Sequence, residues 1–116
     1  MPDKVYRTAI YCRLSREDGD KVESNSIASQ RAICEDYIAR HDDLELVCEP
    51  FVDDGYSGVS FNRPQFKKLE EAIRKGALDC IVVKDLSRFS RNYIDGGRYI
   101  EKIFPQLGIR FIAIND

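Results

Sequence analysis

The sequence predicts a three-layer α/β/α domain with a mostly parallel central sheet of four to five strands. Three observations carry this expectation. Apolar runs alternate with helix-periodic segments in the order strand, helix, strand, helix, strand, helix, strand, the pattern of a layered α/β sheet. The run Asp79–Lys84 (DCIVVK) is continuously apolar between charged ends, as in a strand covered on both faces. The 116 residues, 43% hydrophobic and 33% charged, suffice for one compact domain with its own core.

Each element follows from local chemistry. Val5–Leu14 (VYRTAIYCRL) is rich in β-branched and aromatic residues and reads as the first strand. Ser15–Ser24 is polar and contains Gly19, so a loop is expected. Ser26 is a suitable N-cap for a helix running to about His41, with Ile27, Cys34 and Ile38 on one face and Ile33 and Tyr37 widening it. Leu44–Val52 (LELVCEPFV) reads as a second strand, and Pro50 suggests an edge position or a bulge. Asp53–Arg63 (DDGYSGVSFNR) is a long Gly/Ser/Asn/Asp loop. Pro64 fits the first position of a helix that buries Phe66, Leu69 and Ile73 and stops at Gly76. Asp79–Lys84 is the central strand, and Asp85–Arg91 (DLSRFSR) is a strand-to-helix junction. A helix from about Asn92 to Phe104 places Tyr93, Gly97, Ile100 and Phe104 on one face and ends at Pro105 and Gly108. Ile109–Ile114 (IRFIAI) is the last strand.

Composition narrows the function. Eighteen basic and 20 acidic side chains give a net charge of −2, which excludes a strongly basic nucleic-acid module. The four cysteines, Cys12, Cys34, Cys48 and Cys80, form no CxxC pair, and His41 is the sole histidine, so a zinc site is not expected. The thiols are expected to be reduced and mostly buried. No apolar run reaches the ~20 residues of a membrane span, and Met1-Pro2-Asp3-Lys4 lacks the start of a signal peptide. A cytoplasmic protein is expected. The chain stops just after a strand, which suggests a fragment of a longer protein.

In an open α/β sheet, ligands bind beyond the carboxyl ends of the strands. The first strand ends in Tyr11, Arg13 and Ser15, at i, i+2 and i+4 and so on one face. The second opens into Gly55-Tyr56-Ser57-Gly58, in a loop ending at Arg63. The third opens into Asp85–Arg91, where Arg88 and Arg91 would share a face if they lie on one helical turn. One rim would then hold Ser15 and four arginines. Guanidinium groups match phosphate oxygens bidentately and stay charged. Several of them around one serine suit a phosphodiester that gains charge during attack, and they favour ionisation of the hydroxyl. A Ser-His-Asp hydrolase is disfavoured because His41 lies at the far end of the first helix. A two-metal nuclease needs convergent carboxylates, and Asp53, Asp54 and Asp85 are mingled with arginines. Each feature also has a plainer explanation: Gln30 as a surface amide, Arg88 and Arg91 as a solvated face, Asp85 as the ion-pair partner of Arg88. Their conjunction at three successive strand ends favours function.

These residues resemble the catalytic domain of the serine site-specific recombinases, the resolvases, invertases, large integrases and transposon recombinases. The matching pieces run in family order: Tyr11-Cys12-Arg13-Leu14-Ser15; Ser26-Ile27-Ala28-Ser29-Gln30; Asp54-Gly55-Tyr56-Ser57-Gly58 with Arg63-Pro64; and Asp85-Leu86-Ser87-Arg88-Phe89-Ser90-Arg91. The loop after Ser15 and the last motif are similar to the large, transposon-type branch. The resemblance implies a resolvase-like fold. It implies that Ser15 attacks a DNA phosphodiester, forming a 5′-phosphoserine link and releasing a 3′-hydroxyl, with no metal, ATP or other cofactor. Arg13, Arg63, Arg88 and Arg91 would hold the non-bridging oxygens, and Tyr11, Gln30 and Ser57 would order the site. It implies double-stranded DNA as the partner of the full-length protein, a homodimer on DNA and a homotetramer in the active synapse, and no membrane partner. Residues 1–116 would be the catalytic domain alone, without the C-terminal oligomerisation helix and DNA-binding region, and would bind duplex DNA weakly. One departure stands out. Many relatives carry an aspartate where this chain has Ser87, and Asp85, two residues earlier, is the expected substitute unless an arginine acts directly. The alternatives of another class are a catalytically silent, DNA-associated regulatory domain on the same fold, a nucleotide- or flavin-binding domain, and a small phosphate-ester hydrolase. The second lacks a Gly-rich turn after the first strand.

Overall fold

The computed structural model describes residues 4–15 and 26–116, so the loop expected over Ser15–Ser24 lies, beyond Ser15, outside the described residues. Five parallel strands form the sheet: β1 (Tyr6–Leu14), β2 (Leu44–Leu46), β3 (Phe51–Asp54), β4 (Cys80–Val83) and β5 (Arg110–Ala113). The order is β2-β1-β4-β5, with β3 also on β1. The expected α/β architecture and mostly parallel sheet are therefore present.

The segment expected as one strand over Leu44–Val52 is two. Thr8 of β1 aligns with Leu46 and Tyr11 with Phe51, so Val47–Pro50 sets four residues against the two of Ala9–Ile10. Both short strands lie on the same edge of β1: the Thr8 carbonyl accepts from Val47 N at 3.1 Å and the Leu14 carbonyl from Gly55 N at 2.6 Å. Pro50 has no N–H to give a ladder, which accounts for the break at an edge position.

Alternation along the strands builds two cores. Ala9 and Tyr11 of β1 and Ile81 and Val83 of β4 face Phe66, Leu69 and Ile73 of α2 (Pro64–Arg74), together with Phe89 and Phe104. Ile10, Cys12, Cys80 and Val82 face Cys34 and Ile38 of α1 (Ile27–Ala39). Helices thus cover both faces, giving three layers. The caps follow the chemistry that predicts them. The Ser26 hydroxyl accepts from Ser29 N at 3.1 Å, Pro64 opens α2, and Gly76 takes a φ of +78° just past its end.

The last helical region departs from expectation. After a single turn, α3 (Leu86–Phe89), the chain runs through α4 (Tyr93–Arg98), a π-helical turn (Tyr99–Ile103) and α5 (Phe104–Gln106). Tyr93 is 97% exposed and off the buried face, whereas Phe104 is 1% exposed and in the core. Pro105 does not end the helix. It lacks an N–H and crowds the carbonyl four residues back, and the wider turn before it accommodates both. The stop comes at Gly108, φ +72°.

Candidate active site

The parallel sheet delivers the ends of β1, β3 and β4 to one rim. Ser15 follows β1 directly and is 5% exposed. Arg13, two residues earlier on the same face, is fully buried, and its Nη1 lies 3.4 Å from the Ser15 Oγ. Three backbone carbonyls hold that guanidinium: Tyr56 O at 3.0 Å from Nη1, Arg88 O at 3.2 Å from Nε, and Ser87 O close to Nη2. The loops after β3 and β4 thus meet on a side chain of β1.

Gln30 is not a surface amide. It is fully buried; its Oε1 accepts from Arg13 N at 3.2 Å, and its Nε2 donates to Arg13 O at 3.0 Å. It pairs with the backbone as a neighbouring strand would, fixing the end of β1. Arg88, 2% exposed, donates from Nη1 to the same carbonyl at 3.2 Å. Asp85 caps α3, and its Oδ1 accepts from Arg88 N at 3.2 Å and from the Ser87 hydroxyl at 2.5 Å. Ser87 Oγ in turn accepts from Arg88 Nη2 at 3.2 Å and Nε at 3.4 Å. Asp85 and Ser87 meet across the first turn of α3.

Arg88 and Arg91 do not share a helical face. The helix ends at Phe89, Ser90 is extended, and Arg91 is exposed on the next stretch. Its backbone N–H donates to Gly58 O at 2.7 Å. One turn of α3 is too short to carry both side chains.

Arg63 belongs to an adjoining cluster. Its donors reach the carbonyls of Ser57 (3.3 Å), Ser60 (2.8 Å), Phe89 (2.6 Å) and Gly58 (3.3 Å), and the Tyr11 hydroxyl at 3.3 Å. Its carbon lies 4.7 Å from the centre of the Phe61 ring. Burial lowers the pKa of Arg63 and pushes that of Tyr11 well above the usual phenol range, against the pull of Arg63. The Ser57 hydroxyl accepts from Val59 N at 3.1 Å and closes the turn at Gly58.

Two residues in this rim carry roles that the sequence expectations did not give them. Asp53, 1% exposed, accepts from Tyr11 OH at 2.8 Å and from the backbone N–H groups of Gln65 (3.0 Å) and Phe66 (2.9 Å). It caps α2 from β3, because Arg63 at the N-cap position makes no capping bond. The signal was present: a helix opening Arg-Pro must find an acceptor elsewhere. Gly58 is the other. A Cβ there would lie 2.7 Å from Arg13 Nη2 and 2.8 Å from Arg91 Cγ. The missing side chain lets the two arginines approach.

Ser15, Arg13, Arg88, Gln30, Ser87 and Asp85 therefore form one hydrogen-bonded unit. Tyr11, Asp53, Arg63 and Ser57 form its flank. A buried guanidinium beside a serine hydroxyl is suited to an anionic substrate attacked by that hydroxyl. Among the described residues, no three His, Cys, Asp or Glu side chains converge as metal ligands.

Comparison with known proteins agrees with this fold. Residues 8–116 match the family model described as "Resolvase, N terminal domain". A putative DNA recombinase of Bacillus subtilis (strain 168) is 31% identical over 87 residues, 75% of this chain but 16% of that protein. The N-terminal catalytic domain of TP901-1 integrase superposes with a TM-score of 0.80 at 29% identity, over 94% of this chain and 77% of that one. The C-terminal catalytic domain of ISC1926 TnpA, an IS607-like serine recombinase, shares the fold with a TM-score of 0.75 at 22% identity, over 95% and 68% of the two chains.

Proposed function

The chain belongs to the resolvase N-terminal domain family of serine recombinases, and we propose that it is the catalytic domain of a longer DNA recombinase in which Ser15 is the nucleophile. The observation that carries this is the buried Arg13 guanidinium within 3.4 Å of the Ser15 hydroxyl, at the end of a central strand. A fixed positive charge there stabilises the oxygen as it loses its proton and the phosphorus as it gains negative charge. Ser15 Oγ bonds to phosphorus as its proton leaves. The P–O3′ bond then breaks, and the 3′-oxygen is protonated. Reversal of the same steps onto a new 3′-hydroxyl rejoins the strand, so the phosphodiester bond energy is kept in the phosphoserine link.

Arg88 and Arg91 hold the non-bridging oxygens in this scheme, and Arg13, whose donors are largely taken by carbonyls, contributes its charge beside Ser15. Arg63 spends its donors on four carbonyls and Tyr11, so we assign it, with Tyr11, Gln30 and Ser57, to ordering the loops. Duplex DNA is the substrate, held by a homodimer and exchanged in a homotetramer. Parts of the protein beyond this domain supply sequence recognition.

The test uses the full-length protein with a plasmid carrying the DNA ends that flank its own gene, in EDTA, stopped with detergent. A protein–DNA adduct at a 5′ end, abolished by Ser15→Ala, is the expected result. Cognate DNA binding with no adduct would favour the catalytically silent regulatory domain.

A further inference from the structure

The contacts around Ser87 settle on one arrangement. Its hydroxyl hydrogen points to Asp85 Oδ1 at 2.5 Å, so its lone pairs are turned away from that carboxylate. Arg88 Nη2 and Nε occupy that side at 3.2 and 3.4 Å. The carboxylate itself stands 3.7 Å from Arg88 Nε. The Ser87 hydroxyl is thus hydrogen-bonded to both Asp85 and the Arg88 guanidinium, which themselves meet only at ion-pair distance. Another contact of this guanidinium, Nη1 to Arg13 O at 3.2 Å, is on the backbone that leads to Ser15.

We propose that Ser87 is a positioning residue: it accepts from Arg88 while donating to Asp85, and so orients the Arg88 fork beside Ser15. Asp85 acts on the reaction by orienting Ser87, and it transfers no proton to the leaving oxygen. Ser87 and Asp85 thus share the holding of Arg88, the serine by hydrogen bonds to the fork and the carboxylate by an ion pair at 3.7 Å. The chemistry explains the division. A carboxylate hydrogen-bonded to the Arg88 fork would compete with a phosphate for its donors, whereas a neutral hydroxyl takes those bonds and keeps the Asp85 carboxylate back at 3.7 Å.

The two roles separate experimentally. An acid is lost when Asp85 becomes Asn. An orienting acceptor is not, because the Asn carbonyl still accepts from Ser87 and still caps α3. The proposal rests on the recombinase reading above. The assay is the single-turnover rate of Ser15-dependent adduct formation by the full-length protein on the same plasmid, across pH 6 to 9. Ser87→Ala is expected to slow it on the order of tenfold to hundredfold, the worth of a hydrogen bond to a charged group. Ser87→Thr, which keeps the hydroxyl, should restore most of that rate. Asp85→Asn should slow it only a few-fold, with the shape of the pH profile unchanged. Exchange of the Arg88 Nε–H with solvent, followed by nitrogen-15 NMR, should be fast in Ser87→Ala and slow in wild type, Ser87→Thr and Asp85→Asn. That readout needs no DNA.

A wild-type protein without adduct would overturn the recombinase reading and this role with it. A wild-type adduct with Ser87→Ala at full rate would overturn this inference alone. So would Asp85→Asn inactive with one limb of the pH profile removed, which would make Asp85 the acid.

Discussion

Gly58→Ala tests the geometry of the rim at its tightest point. The backbone at Gly58 is not in the left-handed region, so alanine meets no conformational barrier there. The obstacle is space. The new methyl would sit 2.7 Å from Arg13 Nη2, 3.0 Å from Arg13 Cζ and 2.8 Å from Arg91 Cγ. Comfortable separations are about 3.5–4.0 Å, so something must retreat by roughly 0.7–1 Å. Arg91 is exposed and can swing. Arg13 cannot, because it is fully buried and its donors are fixed to the carbonyls of Tyr56, Ser87 and Arg88. Its contact with Ser15 Oγ, at 3.4 Å, would not survive a shift of that size. Overpacking of this kind costs about 1–3 kcal/mol, and a misplacement of ~1 Å in a reacting group costs about a hundredfold in rate. The assays are urea denaturation and adduct formation. Adding Arg91→Ala should relieve only the smaller part of the defect. Gly58→Ala with wild-type stability and an adduct rate within a few-fold of wild type would refute the claim that Gly58 sets the position of Arg13.

Three further outcomes follow from individual contacts. Asp53→Ala removes the acceptor of the Tyr11 hydroxyl and of two N–H groups of α2; a loss of about 2–4 kcal/mol in urea denaturation is expected, with Asp53→Asn intermediate. Asp79 is bound by the backbone and side chain of Arg7, which holds its carboxyl down to about 2 against an ordinary 3.8. A depressed folded-state pKa contributes stability above the unfolded value and loses it as pH falls through the folded one. The destabilisation by Asp79→Asn should therefore be full above pH ~4.5 and vanish towards pH ~2. Burial pushes the thiols of Cys12 and Cys34 up to about 12 and Cys80 to about 11, while Cys48 is exposed. At pH 8, iodoacetamide should label Cys48 alone in the native protein and all four after denaturation, read by mass spectrometry.

The sequence was most informative where structure is set by neighbours in the chain. Ser26, Pro64 and Gly76 each do locally what their chemistry requires, and the continuous run at Cys80–Val83 is the central strand. It was least informative where a partner lies far away. Nothing adjacent to Gln30 says that both halves of its amide will meet the backbone of Arg13, 17 residues earlier. Arg88 and Arg91 fit one helical face on spacing alone. The turn between them is broken because Ser90 extends to place its own hydroxyl against Asn92, whose side chain caps α4. The split of the second strand depends on register against β1, a property of two segments together. Tyr93 satisfies the helical period and still faces solvent, since the π turn shifts the face that follows it.

The way the arginines are held bears on how an acidic domain can handle a phosphodiester. Burying a guanidinium costs several kcal/mol unless its donors are met. For Arg13 and Arg63 they are met largely by carbonyl oxygens of the rim loops, Tyr56, Ser57, Gly58, Ser60, Ser87, Arg88 and Phe89. A carbonyl satisfies a donor without cancelling its charge, so the positive potential survives for an incoming anion. On the outer helices the reverse holds. Arg31–Glu35, Arg40–Asp36, Arg74–Glu70 and Lys75–Glu71 are paired one helical turn apart, with their charges locally balanced. With Arg13, Arg63, Arg88 and Arg91 gathered in the rim, a net charge of −2 means that acidic side chains outnumber basic ones over the rest of the chain. Long-range attraction to a duplex scales with the phosphates neutralised, and such a surface offers little of it. On the proposed reading its charge acts at one phosphate, after something else has brought the strand within reach.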